Sequence, residues 1–484
     1  MKQKFSSEIC NNKMTFQDCE LAILRHAVDE AEKTNSSKLA NSESVKSMIS
    51  ILEEFLIKTK CICYGGTAIN NILPQDAQFY DREIEVPDYD FYSPTAMEHA
   101  KELANLYAKA GFEEVEAKAG MHYGTYKVFV DFIPIADITF LHPTIFKSIS
   151  REAISVAGIK YSPANFLRMN MFLELSRPMG DVSRWEKVLK RLTLLNTYYP
   201  LKTKQCNLVE FQRPMDSFED KSEILYYSLR DTLAYNNVIF LGGFATRLYS
   251  KYEKSKNYVD VKKIPDFDVI VENPERVATI VIEQLKSIGF DKIKLIEHEE
   301  VGEIIPKSYE VRIQNETLVF LYEPIACHNY NIIQLNNYKI RIATIDTMLT
   351  FYLAFYYSDE AYHEKERILC MCKFLFDIES KNRLAQKGLL KRFSITCEGK
   401  QATLESIRSE KVQKFEELRS KRGTREYDLW FLKYSVGAKN RAAKEHEGKR
   451  KKIGNKKTLT VNKKKKTKTE KKKSTLLNKL RELI

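Results

Sequence analysis

A motif that occurs twice constrains this chain more than any other feature. Near the start, Cys63-Tyr64-Gly65-Gly66-Thr67-Ala68-Ile69-Asn70 precedes Val86-Pro87-Asp88-Tyr89-Asp90-Phe91. Later, Phe240-Leu241-Gly242-Gly243-Phe244-Ala245 precedes Ile264-Pro265-Asp266-Phe267-Asp268-Val269. The Gly-Gly steps are 177 residues apart and the Asp pairs 178. Two separate motifs repeating at nearly one offset mark a duplicated unit. Each copy reads as an apolar strand, a Gly-Gly turn, a short helix and a hydrophobic strand bearing Asp-x-Asp.

The acids suggest the chemistry. Side chains alternate along a strand, so Asp88 and Asp90 project to one side. Carboxylates held that close repel unless a divalent cation lies between them, and hard oxygen ligands suit Mg²⁺. A pair of such ions can clamp the attacking and leaving oxygens of an in-line nucleotidyl transfer. A third carboxylate is then needed from a neighbouring strand, and Asp131 and Asp137 are the candidates. Aligning Tyr126 with Tyr309 sets Asp131 against Gln314 and Asp137 against Phe320. Asp137 lies in an apolar strand, where an unpaired acid is costly, whereas Asp131 falls at a turn. Asp137 is therefore the expected third ligand, with Asp131 in reserve. The second copy, with phenylalanine there, is expected to be a catalytically dead structural copy.

On the turn, Gly65 and Gly66 let backbone approach a ligand, and the following helix offers unpaired N–H groups to a triphosphate. Thr67 adds a hydroxyl for a phosphate oxygen, and Asn70 completes the nucleotide-binding candidates. Phe244 replaces Thr67 in the second copy. No Gly-x-x-x-x-Gly-Lys-Ser/Thr loop is present at either turn. A lone Asp-x-Asp is ordinarily a solvated strand end; the ordered combination with a third acid carries the argument.

Charge is unevenly placed. The chain carries a formal +13 over 484 residues, yet Lys449–Lys473 holds fourteen Lys/Arg and one acid. The remainder is therefore near neutral. This tail, including Lys463, Lys464, Lys465 and Lys466, is expected to be disordered and able to grip phosphate backbones; nuclear targeting or simple solubilisation are equal alternatives. Neither Cys61/Cys63 nor Cys370/Cys372 has zinc-site spacing, so buried thiols in a reducing compartment are expected. No signal peptide is evident, and the apolar run Met348–Tyr357 is too short for a membrane span. A soluble, intracellular protein without membrane contact is the reading.

Periodicity predicts helices over 18–32 and 44–59, with a Ser/Asn-rich break at 35–42, then over 163–175 and 180–192. The repeat continues here: Tyr161–Glu174 aligns on Ile342–Phe355, turning Arg168 into Leu349 and Glu174 into Phe355. Arg168 and Lys187 are candidates for the nucleotide, and Arg184, Lys190 and Arg191 for RNA. A solvated helix face is an equal reading of any one of them, and Trp185 reads as core. A helical segment over 345–380 and another over 405–420 follow. The aromatic stretch 427–434 is assigned to docking of the C-terminal region. The expected domains are an arm (1–50), a catalytic module (51–150), a helical connector (151–223), a degenerate module (224–344), a helical region (345–435) and the basic tail (436–484).

Tyr64–Asn70, Pro87–Pro94, Ala136–Thr139, Phe166–Pro178 and Arg184–Val188 together resemble the poly(A) polymerase catalytic subunits of nucleocytoplasmic large DNA viruses. Mimivirus-type enzymes are nearest, with poxvirus and asfarvirus forms more distant. The resemblance covers about residues 45–435. It implies an α+β fold with two tandem DNA polymerase β-like nucleotidyltransferase modules, the second degenerate. It further implies template-independent transfer of AMP from ATP to the 3′ end of single-stranded viral mRNA, with Mg²⁺ or Mn²⁺. Asp88, Asp90 and Asp137 become the metal ligands. Members act with a separate processivity subunit or as self-sufficient dimers, and the mimivirus-like resemblance implies a homodimer; a location in the virion and the host cytoplasm also follows from the resemblance. The rivals are a CCA-adding, oligoadenylate-type or protein-modifying transferase of the same fold, and a non-catalytic RNA-binding scaffold.

Overall fold

The alternating strands and capped helices read from the sequence assemble into two sheets. The computed structural model describes residues 9–436, apart from 12, 82–84, 204–205, 207–210, 212, 214–217, 219–220, 254–265 and 336–337. Within these lie fourteen helices and two eight-stranded sheets, an α+β fold.

The first sheet contains β1 (Ile62–Tyr64), β2 (Tyr89–Ser93), β3 (Val115–Ala119), β4 (Thr125–Val130), β5 (Ile133–Phe140), β6 (Ile154–Val156) and β7 (Ile159–Tyr161). The second contains β8 (Ile239–Leu241), β9 (Phe267–Ile270), β10 (Ile293–His298), β11 (Ser308–Ile313), β12 (Glu316–Tyr322), β13 (His328–Leu335), β14 (Tyr338–Ala343) and β15 (Cys397–Glu398). A last strand, β16 (Lys433–Ser435), returns to the first sheet. The orders are β16-β3-β4-β5-β2-β1-β7-β6 and β10-β11-β12-β9-β8-β14-β13-β15. With the outer β16 and β15 set aside, the two orders match strand for strand. Directions match as well: β1–β2 and β8–β9 are antiparallel, while β2–β5 and β9–β12 are parallel.

Helices frame the sheets. The first, Phe16–Ala40, starts at a Thr15/Asp18 capping box and continues through 35–40, where a break was expected. Ser and Asn are tolerated there because that stretch is largely solvated; the break waits for Ser42, which caps Glu43–Thr59 by accepting from the Val45 N–H. The segment expected as one helix over 345–380 is two, Ile345–Tyr357 and Lys365–Lys381, parted near Asp359 at φ 59°. Helices Ala164–Leu175 and Ile345–Tyr357, the aligned pair of the repeat, pack on each other, with the Phe166 and Tyr357 rings 5.3 Å apart.

The cysteines correct the expectation of thiols throughout. Cys10–Cys19, Cys206–Cys370 and Cys327–Cys397 are disulfides, and Cys61, Cys63 and Cys372 are free and buried. Two residues apart on a helix, Cys370 and Cys372 point in different directions, so one meets Cys206 and the other the core. Pairing across 164 residues leaves no local spacing to read. No described helix is long and apolar enough to cross a membrane. The basic tail lies outside the described residues.

The aromatic C-terminal stretch forms helix Arg425–Phe431 and then β16, which covers the edge of β3. Trp430 packs 4.4 Å from Tyr123, the Tyr126 hydroxyl donates to the Leu429 carbonyl at 3.0 Å, and Lys101 pairs with Asp428 at 3.0 Å. Ending the chain before Arg425 uncovers that edge, and exposed edges template aggregation. A Tm lower by several degrees and increased light scattering are expected; an unchanged Tm would remove β16 from the fold's requirements.

Candidate active site

Strand register brings the acids together. On the parallel pair β2–β5, Asp90 lies directly beside Asp137. Asp88 immediately precedes β2 and, two residues from Asp90, projects to the same side. Asp131 sits instead in the exposed β4–β5 turn at φ 48°, where it only shapes the hairpin. In the second sheet the position beside Asp268 is Phe320, and Gln314 takes the turn at φ 56°.

Burial and mutual repulsion shape the electrostatics. Burial, then the charges of Asp88 and Asp137, push Asp90 up to about 7, against the opposing pull of Lys127 and Arg184. Asp88 is raised too, by burial and then Asp137, with Lys127 again opposing. Lys127 lies opposite Asp137 on β4 and forms an ion pair with it. Sequence reading passed over Lys127. A regular two-residue hairpin would set Lys127 across from Ala136; a bulge between Val128 and Phe129 shifts the register by one and brings it to Asp137, which the sequence does not announce.

The Gly-Gly turn fixes the acids from the other side. Gly65 has φ +74°, and a Cβ there would meet Asp90 Oδ2 at 2.8 Å, so only glycine fits. A Cβ on Gly66 would meet Tyr80 Oη at 2.8 Å and Arg191 Nη1 at 2.9 Å. Thr67, expected on a phosphate, donates to the Asp88 carbonyl at 2.6 Å and so holds the acid loop. Asn70 is buried and accepts from the Phe79 and Tyr80 N–H groups at 2.7 and 2.8 Å. Thr67, Asn70, Asn71, Tyr80, Pro87 and Asp88 line a cavity of about 390 Å³ beside the carboxylates. A larger cavity, about 640 Å³ against helix Lys365–Lys381, touches none of Asp88, Asp90 and Asp137.

The basic candidates separate. Arg191 donates to the Tyr80 hydroxyl and lies 5.0 Å over the Phe79 ring, placing it at the turn rather than on a remote RNA face. Arg184 is exposed, 3.4 Å from Glu174, and reaches Asp90 electrostatically. Lys187 is exposed on helix Trp185–Tyr198, while Lys190 pairs with Glu186 at 2.6 Å. Trp185 donates to the Glu174 carbonyl at 2.9 Å and packs near Phe393, a structural placement. Arg168 corrects the expectation most: it is fully buried, donates to Asn196 at 2.7 Å and to Asn165 and the Tyr199 carbonyl, and burial pulls it down to about 10. It clamps two helices. Lys463–Lys466 lie outside the described residues.

Among the described residues, no three His, Cys, Asp or Glu side chains already form a closed cation cage. The donor set nevertheless fits a divalent cation: three hard carboxylates on one side, mutually repelling, with an ammonium now balancing one of them.

Comparison with known proteins bears on this region directly. Residues 50–181 match the family model "Poly(A) polymerase catalytic subunit". A protein of African swine fever virus named "Putative poly(A) polymerase catalytic subunit" is 33% identical over 168 residues, 34% of this chain and 35% of that one. A similarly named protein of Acanthamoeba polyphaga mimivirus is 30% identical over 190 residues, 38% of this chain and 31% of its own length. The chain thus spans about a third of the length of these curated relatives. The crystal structure of the Megavirus polyadenylate synthase superposes with a TM-score of 0.73 at 16% identity, covering 94% of this chain and 95% of that one, which shows a shared fold. The matched stretch contains all of Asp88, Asp90 and Asp137.

Two outcomes follow. Asp90 must lose its proton to bind a cation, so Mn²⁺ affinity, read by electron paramagnetic resonance, should rise with pH through about 7. Because its folded pKa is raised, Asp90 also makes the cation-free protein less stable as pH rises from its ordinary range through about 7. Asp90→Asn should flatten both dependences. Lys127→Met, compared at pH 8.5 or so where the acids are already ionised, should bind Mn²⁺ several-fold more tightly; weaker binding would exclude Lys127 as a competitor for Asp137. Separately, Arg168→Met should cost about 3 kcal/mol or more in stability, because it strands buried acceptors, while leaving nucleotide affinity unchanged in the folded fraction.

Proposed function

We propose that this chain is a template-independent polynucleotide adenylyltransferase that moves AMP from ATP onto the 3′-hydroxyl of single-stranded mRNA and releases pyrophosphate. The observation that carries this reading is the register pairing of Asp90 with Asp137 beside a glycine turn that no side chain could replace. The family domain over 50–181 supports the class of reaction, and the names of the relatives support adenylate as the unit added.

Asp88, Asp90 and Asp137 would hold Mg²⁺ or Mn²⁺, which supplies charge neutralisation to the entering hydroxyl and the departing pyrophosphate. The remaining work falls to this chain's own groups. Thr67 fixes the Asp88 loop, Asn70 fixes the Phe79–Tyr80 backbone, and Gly65 keeps the Asp90 carboxylate uncrowded. Arg191, on Tyr80 at the cavity wall, and Arg184, acting on Asp90, present positive charge at the site, and the exposed Lys187 is assigned to the nucleotide with them. Preorganised charge of this kind carries most of the rate in phosphoryl transfer.

The matching strand orders support a reading of two tandem transferase modules, the second without catalytic chemistry. The phrase "catalytic subunit" in the relatives' names favours a separate partner subunit; a homodimer is the other arrangement proposed. We place the activity in the virion and the host cytoplasm on the same viral kinship. The basic tail is assigned to RNA.

Primer extension on oligo(A) with each of four labelled nucleotides tests the reading, with adenylate the expected product. Incorporation of cytidylate in its place would transfer the chain to a CCA-adding class. Asp90→Asn should abolish incorporation with the fold preserved by circular dichroism, and Asp268→Asn should not abolish it. Removing 449–484 should weaken RNA binding and flatten its salt dependence; unchanged binding would release the tail from that role.

A further inference from the structure

The second acid pair is occupied from within the chain. Arg213 lies on the connector between helices Trp185–Tyr198 and Ser222–Tyr235, more than fifty residues before the acids it meets. Its Nη2 is 2.8 Å from Asp266 Oδ2 and its Nη1 is 2.9 Å from Asp268 Oδ1. Nη2 also donates to the Phe267 carbonyl at 3.2 Å. The guanidinium is 4.9 Å over the ring of Phe320, the residue that replaces the third acid. Phe320 in turn stacks with Tyr362 and Tyr322.

This is the arrangement a cation site would need, with the cation supplied by a side chain. Two carboxylates bracket a positive group, and an aromatic face closes the side where a third ligand would stand; guanidinium is well suited to such stacking. The side chains of Arg213, Asp266 and Asp268 are only 14%, 3% and 11% exposed. Lys127, balancing Asp137 in the first sheet, is 39% exposed. The second cation is sealed in; the first is open to exchange.

We propose that Arg213 is a permanent internal substitute for a divalent cation in the second sheet, removing its acid pair from nucleotide chemistry and using it to anchor the connector. The anchor is not isolated. Phe211 packs on Phe374, Phe218 on Phe290, and Cys206 is bonded to Cys370. Among the described residues of the connector, Arg213 adds a polar fixing point to these aromatic and disulfide contacts. Within this set, removing any one partner would strand the remaining buried charges.

The test uses the full chain with Asp88, Asp90 and Asp137 replaced by Asn, so that the first site gives no cation response. In that background Arg213→Ala should lower Tm by several degrees, and millimolar MnCl₂ should restore part of the loss saturably. The same background with Arg213 present should show no Mn²⁺ shift. No recovery of Arg213→Ala by Mn²⁺, or an equal shift with Arg213 in place, would overturn the proposal. Should Arg213→Ala not fold, Arg213→Met is compared with Arg213→Met/Asp266→Asn/Asp268→Asn. A triple variant that folds with the higher Tm supports a charge-balanced site; a triple variant no better than the single overturns it.

Discussion

The repulsion between neighbouring carboxylates on β2 and β5 governs the rest of this structure. Adjacent strands lie about 4.8 Å apart, and two unit charges at that spacing repel by about 3 kcal/mol at an effective dielectric near 20. Such a sum is comparable to the cost of losing a core side chain, so the sheet cannot carry it without a counter-charge or a proton. The protein uses both: Lys127 balances Asp137, and Asp90 is held near 7. A divalent cation would discharge the same strain more completely. The site's appetite for metal is therefore a property of strand register, established before any nucleotide arrives.

The two sheets answer one electrostatic problem in two ways. In the first, a partly exposed lysine on the neighbouring strand balances the third acid, and a cavity of about 390 Å³ opens at Asp88. In the second, Phe320 deletes one negative charge and Arg213 neutralises part of what remains. Burial alone would pull the Arg213 guanidinium down; Asp266 and Asp268 overcome this and hold it above its ordinary value. Phe320 in the third acid's place and Arg213 between the two remaining acids thus act on the same local charge.

Much of this was legible because repeats carry register. Aligning Tyr126 with Tyr309 is enough to set Phe320 in Asp137's place, and the strand pairs Asp90↔Asp137 and Asp268↔Phe320 agree. What sequence reading missed was long-range or side-chain specific. Arg168 is a lone cation in a largely apolar helix; Asn165 is a neighbour one turn back, but nothing local says that Asn196 and the Tyr199 carbonyl complete its partners. Arg213 reaches its acids across more than fifty residues, and Cys206 finds Cys370 across 164. Thr67 was read as a phosphate contact because its hydroxyl looked unspent, yet the Asp88 carbonyl consumes it.

That last point changes what the Gly-Gly motif means. Gly65 and Gly242 have φ of +74° and +67°, and at each a Cβ would collide with the second aspartate of its own motif. The glycine is therefore demanded by the acid, not by a nucleotide, and the two features count as one constraint. A chain that keeps Asp268 must keep Gly242 whether or not it binds anything. The discriminating positions are the ones free to drift once chemistry is lost. Thr67 becomes Phe244, which packs on Phe240 and Phe267, and Asp137 becomes Phe320. A polar group that positions a reacting loop survives only where the loop still has something to position.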